Sequence, residues 1–184
     1  TGFLVYGIAW IYGATGTTDL ALIGKRITEQ NSTYLLFGLA LILVSLAFKV
    51  GAVPMHLWIP DVYQGAPTPT TAFLSIASKA SGFAIAIRVT EPFLNSGTDI
   101  AAKTTFILAT LAGATILLGN LAAIPQKNFK RLLAYSSIAN AGFILLPMAA
   151  WQTATDELTS KQVIAFYLTI YLIMTLAAIP ITND

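Results

Sequence analysis

The 184-residue sequence contains no cysteine and a single histidine, His56. The first absence excludes disulfides, iron–sulfur clusters and thiolate chemistry, and the second excludes a multi-histidine metal or haem site. Any redox chemistry linked to this chain therefore belongs to another polypeptide. Charge is scarce as well. Ten Lys+Arg and eight Asp+Glu make up 10% of the residues, against about 25% in an ordinary soluble domain. So few charges cannot coat a globule of this length. The formal net charge is only +2 and no basic run exceeds two adjacent residues, so nucleic acid is not an expected partner. What is plentiful is apolar: 56% of residues are hydrophobic and the mean hydropathy is +0.74. A lipid bilayer is the partner this composition fits. The chain opens at Thr1 inside an apolar run, with neither an initiator Met nor a signal peptide, and reads as a fragment of a larger protein.

A spanning helix needs roughly 20 apolar residues to cross about 30 Å of hydrocarbon. The charges are spaced to allow this repeatedly. Between Glu29 and Asp61 only Lys49 and His56 can carry charge near neutral pH, and between Asp61 and Arg88 only Lys79. The intervals from Lys103 to Lys127, Arg131 to Asp156 and Lys161 to Asp184 hold no Asp, Glu, Lys, Arg or His. The expectation is one membrane-embedded region over 1–184, with a partial span at 2–13 and complete spans at 34–53, 70–90, 104–124, 132–150 and 162–181. A half-helix at 53–63 follows the first complete span. Because the apolar runs are continuous rather than alternating, a β-barrel is excluded. The expected fold class is all-α, a polytopic transmembrane helical bundle with a proline-broken helix.

Orientation follows from basic residues in short loops. Lys127, Lys130 and Arg131 crowd the 125–131 turn, so this turn and the 54–69 connection are expected on the cytoplasmic side. The mixed or acidic loops at 91–103 and 151–161, the latter with Asp156 and Glu157, are expected outside. Residues 14–33 form the one hydrophilic stretch of any length. There Thr17, Thr18 and Asp19 are suited to cap a short helix whose Leu20, Ile23 and Ile27 share a face. Such a helix is expected to lie on the membrane surface.

Two lysines stand in the wrong solvent. Lys49 and Lys79 each interrupt an otherwise uncharged span, and a centrally placed lysine costs roughly 2.5–3.5 kcal/mol on insertion. Snorkelling to the interface is the plain alternative for Lys49, near the helix break, and is harder for Lys79. A desolvated amine is suited to losing and regaining a proton near neutrality, and two such amines on adjacent helices would discourage each other's charge. Both are therefore candidate proton-path residues. Pro54 has no backbone N–H and would break the helix beside Lys49, and a broken helix at membrane depth is tolerated where it lines protein or a water-filled cavity. His56 is either a proton carrier or a structural hydrogen-bonder. Asp61 is suited to capping or to pairing with a basic residue, with a transport role as the alternative. Trp58 and Tyr63 read as interfacial aromatics, and Tyr135, Ser136, Ser137 and Asn140 as a polar stripe for interhelical hydrogen bonds or a hydrated path.

The run Phe48-Lys49-Val50-Gly51-Ala52-Val53-Pro54-Met55-His56-Leu57-Trp58-Ile59-Pro60-Asp61-Val62-Tyr63-Gln64-Gly65-Ala66-Pro67-Thr68-Pro69 resembles the signature of the antiporter-like membrane subunits of respiratory complex I, NADH:quinone oxidoreductase. Lys130-Arg131-Leu132-Leu133-Ala134-Tyr135-Ser136-Ser137-Ile138 is similar to the same family. The Asp-Val-Tyr-x-Gly spelling at 61–65, and a lysine rather than a histidine at 79, resemble its subunit N type. This resemblance implies a proton-translocating subunit that carries protons on Lys49 and Lys79, driven by quinone reduction elsewhere. It implies other membrane subunits of complex I as partners and no cofactor in this chain, with quinone, FMN and iron–sulfur clusters in other subunits. It also implies a longer chain, so that a glutamate helix before Thr1 and a lysine helix after Asp184 complete the path. A bacterial plasma membrane is the expected location, with thylakoid or mitochondrial inner membrane as alternatives. A sodium/proton antiporter subunit and a passive membrane-arm scaffold are the competing functions.

Overall fold

The computed structural model describes residues 2–151 and 159–178; Asp156, Glu157 and the last residues of the expected 162–181 span lie outside them. The described chain is helical throughout, in the order α1 (Gly2–Thr15), α2 (Leu20–Lys25), a 3₁₀ turn (Glu29–Asn31), α3 (Ser32–Val50), α4 (Trp58–Gly65), α5 (Thr68–Phe73), a π turn (Leu74–Ser78), α6 (Lys79–Leu94), α7 (Asp99–Ala123), α8 (Phe129–Ala149) and α9 (Ser160–Ala178). α5, the π turn and α6 form one continuous rod, Thr68–Leu94. With α3, α7, α8 and α9 it makes five helices long and apolar enough to cross a membrane. The chain is thus a polytopic α-helical membrane bundle.

Lipid offers helices no hydrophobic reason to associate, so small residues set the packing. A Cβ built on Gly7 of α1 would lie 2.7 Å from the Gly38 carbonyl oxygen of α3. On Gly119 of α7 it would lie 2.7 Å from the Ala139 nitrogen, and on Gly142 of α8 it would lie 2.9 Å from the Ile116 nitrogen. These pairs run in opposite register along their helices, so α1/α3 and α7/α8 are antiparallel hairpins with backbones nearly in contact. α8 is central, packing against α4, α7 and α9. Its buried face carries Ala134, Ser137, Ile138, Ala141 and Leu145.

Capping explains the helix ends. Asp19 Oδ1 accepts from the Ala21 and Leu22 amides at 2.8 and 3.4 Å, which starts α2 with Ile23 buried. Asn128 Oδ1 accepts from the Arg131 amide at 3.2 Å and starts α8. α3 stops at Gly51, whose φ of +78° lies in the left-handed region and whose amide donates to the Ala47 carbonyl. A Cβ there would sit 1.8 Å from Ile59 Cδ1, so this position has no room for a side chain.

The break therefore differs from the one expected. It is set by Gly51, three residues before Pro54, and the half-helix runs over Trp58–Gly65 rather than 53–63. A left-handed residue ends a helix outright, whereas a proline interferes with the turn that precedes it. The freed backbone groups find side-chain partners. The Val53 amide donates to Thr115 Oγ1 of α7 at 3.1 Å, and the Trp58 indole donates to the Phe48 carbonyl at 3.0 Å. At the α4 end of the bundle Arg131 pairs with Asp61 at 2.8 Å. At the opposite end Lys161 pairs with Glu91 at 2.5 Å and the Trp151 indole donates to Asn95 at 2.7 Å.

Candidate functional site

Lys79 begins α6 directly after the π turn Leu74–Ser78. Single π turns re-aim side chains inside long helices and recur at functional sites. Lys79 is eleven residues from one end of its rod and fifteen from the other, about 17 and 23 Å along the axis. It is 2% exposed. Its Nζ donates to both the backbone carbonyl and the Oγ of Ser137 on α8, and it lies 6.0 Å from the centroid of the Tyr171 ring on α9. Among the described residues it has no carboxylate partner. A buried ammonium held only by neutral dipoles costs far more than an ion pair with well-placed hydrogen bonds.

Ser137 is the junction. Besides Nζ, its Oγ meets the Tyr171 hydroxyl at 2.8 Å and the Tyr63 hydroxyl of α4 at 3.4 Å. A cavity of about 120 Å³ adjoins it, lined by Tyr63, Thr71, Ser75, Ser136, Tyr171 and Thr175 among others. At about 30 Å³ per water this has room for roughly four molecules, with hydroxyls to bind them. Hydroxyls both donate and accept. When Nζ is charged it donates to Ser137; when neutral, its lone pair can accept from Ser137 or from water. One proton exchange thus reverses hydrogen bonds through Tyr63, Ser137 and Tyr171. One turn further along α8 and α9, the Tyr167 hydroxyl donates to Asn140 Oδ1 at 2.6 Å, and Asn140 donates to the Ser136 carbonyl at 2.8 Å.

The other candidates are distributed around this centre. Lys49, one residue from the end of α3, is half-buried. Its aliphatic stem lies 3.5–3.7 Å from a Cβ placed on Gly82, one turn beyond Lys79, and its amine has no ionic partner among the described residues. Pro54 and His56 lie in the turn between α3 and α4. His56 is buried and its Nδ1 has no hydrogen-bond partner among the described residues. Asp61 is largely exposed and pairs with Arg131, which also donates to Gln64 at 3.0 Å. No cluster of three or more His, Asp or Glu among the described residues is placed to hold a metal ion.

Sequence reasoning missed two partners. Tyr63 is buried at 2% exposure, not interfacial, because α4 folds back against α8 and turns it inward. Tyr171 was not singled out. Its signal was Tyr167, Tyr171 and Thr175 at four-residue spacing, one hydroxyl-bearing face of the otherwise apolar α9.

A family profile described as NADH:quinone oxidoreductase/Mrp antiporter, TM, matches residues 1–183. The chain is 43% identical to an NADH-quinone oxidoreductase subunit N from Desulforamulus reducens over 95% of this chain and 35% of that protein. A subunit N from Moorella thermoacetica is 49% identical, over 82% of this chain and 31% of that one. A chain in respiratory complex I from Thermus thermophilus with bound aureothin superposes with a TM-score of 0.76 at 37% identity, covering 99% of this chain and 37% of its own. A chain of the membrane-bound sulfane sulfur reductase, an archaeal respiratory membrane complex, superposes with a TM-score of 0.82 at 33% identity, covering 95% and 34%. This chain spans about a third of the length of these relatives.

Proposed function

We propose a proton-translocating role from a plain premise: the chain belongs to the NADH:quinone oxidoreductase/Mrp antiporter transmembrane family. Within a whole protein, residues 1–184 act as one membrane-embedded region of a complex I membrane-arm subunit. Protons pass through Lys79, with Lys49 as its neighbour in the path, and the driving quinone reduction takes place on other subunits. Those subunits hold the quinone, FMN and iron–sulfur groups, and no redox step falls to this chain. The host is a bacterial plasma membrane, with the Asp61–Arg131 end on the cytoplasmic side.

A single observation carries this reading: Lys79 is sealed inside three packed helices with hydroxyls as its side-chain partners and a polar cavity beside it. A scaffold gains nothing from such a residue, since Leu or Met would remove its insertion cost of roughly 2.5–3.5 kcal/mol. The names of the listed bacterial relatives, NADH-quinone oxidoreductase subunit N, favour complex I over a sodium/proton antiporter. The test is Lys79→Ala in the full-length protein within its assembled complex. Proton pumping falls while assembly persists. Full pumping in that variant refutes the proton path, and pumping that requires sodium transfers the chain to the antiporter class.

A further inference from the structure

We propose that the crevice between α2 and the C-terminal end of α6 binds the phosphate headgroup of an anionic phospholipid. It encloses about 580 Å³ and is lined by Asp19, Leu20, Lys25, Arg88, Glu91 and Asn95 among others. Its floor is the approach of Gly24 to Pro92, where a Cβ on the glycine would sit 3.4 Å from the proline Cβ.

The charges facing this crevice do not cancel. Asp19 is engaged by the two amides it caps, and Glu91 by Lys161. Lys25 and Arg88 are exposed and, among the described residues, neither has a carboxylate partner. Two cations therefore stand together at the rim of a membrane-spanning helix with no protein anion to meet them. At that depth the abundant anion is the lipid phosphate.

The surface beneath the rim suits a lipid rather than a free ion. Arg88 shares an exposed face of α6 with Ile85, Ala84 and Ser81, at the spacing of one helix face. Ile85 is 43% exposed and Leu22 of α2 is 40% exposed. A charged rim above an apolar strip matches an amphiphile, whose chains would cover Ile85 and Leu22 while its phosphate meets Lys25 and Arg88. Inorganic phosphate would leave that strip unused.

The experiment titrates the full-length protein in its assembled complex with phosphatidylglycerol in detergent, counting bound lipid by native mass spectrometry. Lys25→Gln and Arg88→Gln each weaken the apparent affinity about fivefold, and the double variant weakens it about thirtyfold. Arg88→Lys retains most of the binding. Lys103→Gln, which removes a cation already paired with Asp99 near the same end, leaves it unchanged. Equal binding of phosphatidylcholine overturns the site, as does unaltered phosphatidylglycerol binding in the double variant. Displacement of phosphatidylglycerol by millimolar inorganic phosphate overturns the lipid assignment in favour of a free anion.

Discussion

Lys79 and Lys49 are the same residue type on neighbouring spanning helices, each isolated in an uncharged stretch of sequence, yet their surroundings differ. Lys79 lies mid-rod, 2% exposed, its amine bound to Ser137 and facing a hydroxyl-lined cavity. Lys49 lies at the last turn of α3, half-buried, with its stem over Gly82 and its amine unpaired among the described residues. Depth along the helix decides the contrast. A mid-rod amine has no interface within reach and must be satisfied by neighbours, whereas one beside a broken helix can extend toward the opening. The pair thus separates a residue whose environment is built around it from one that has only been accommodated.

The largest expected effect tests that contrast directly. Lys79→Ala abolishes most proton pumping in the assembled complex, and Lys49→Ala lowers it less; the two are compared by dye-quench assays in membrane vesicles. If Lys49→Ala is the more damaging, the ranking by burial is wrong. Next comes Gly51→Ala, which meets both a left-handed φ and the Ile59 side chain. It destabilises the detergent-solubilised protein by about 2 kcal/mol or more, read as a lower midpoint of thermal unfolding. Because Gly51 shapes the Lys49 side, pumping should fall in step with that loss.

A smaller change probes the Lys79 side alone. Ser137→Ala removes the Oγ shared by Nζ, Tyr63 and Tyr171 but leaves the carbonyl acceptor. Losing one buried partner costs about 1–3 kcal/mol, so pumping falls several-fold while complex assembly, followed on native gels, is retained. Ser137→Thr restores most of it. The smallest effect belongs to Asp61→Asn. Its pair with Arg131 is exposed to solvent on the Asp61 side, and such pairs contribute under about 1 kcal/mol. A shift of the unfolding midpoint beyond a few degrees would show that α4 depends on this pair to hold Tyr63 in place.

Much of the bundle was legible in advance because lipid imposes a simple rule: charges must lie outside runs long enough to cross it. The intervals flanking Lys103, Lys127, Arg131 and Lys161 announce the helices that the structure displays as α7, α8 and α9. Asp19 was readable as a cap because one side-chain oxygen near the first amides suffices. The break was harder. Pro54 drew attention through its missing donor, while Gly51 ends α3 by a backbone angle and by the proximity of Ile59, eight residues on. Tyr63 was misplaced because its depth depends on how α4 turns back onto α8, which no local pattern encodes.

Composition and charge spacing are properties of the chain in its solvent, and they are enough to require a helical membrane bundle and to mark Lys49 and Lys79 as costly residues within it. Which of the two amines is sealed, and by which hydroxyls, is another matter. Ser137 reaches Lys79 across 58 positions of sequence and Tyr171 reaches Ser137 across 34. Contacts over such separations exist once glycines and alanines have let α7, α8 and α9 settle together, because side-chain hydrogen bonds act over about 3 Å and have no reach along the sequence.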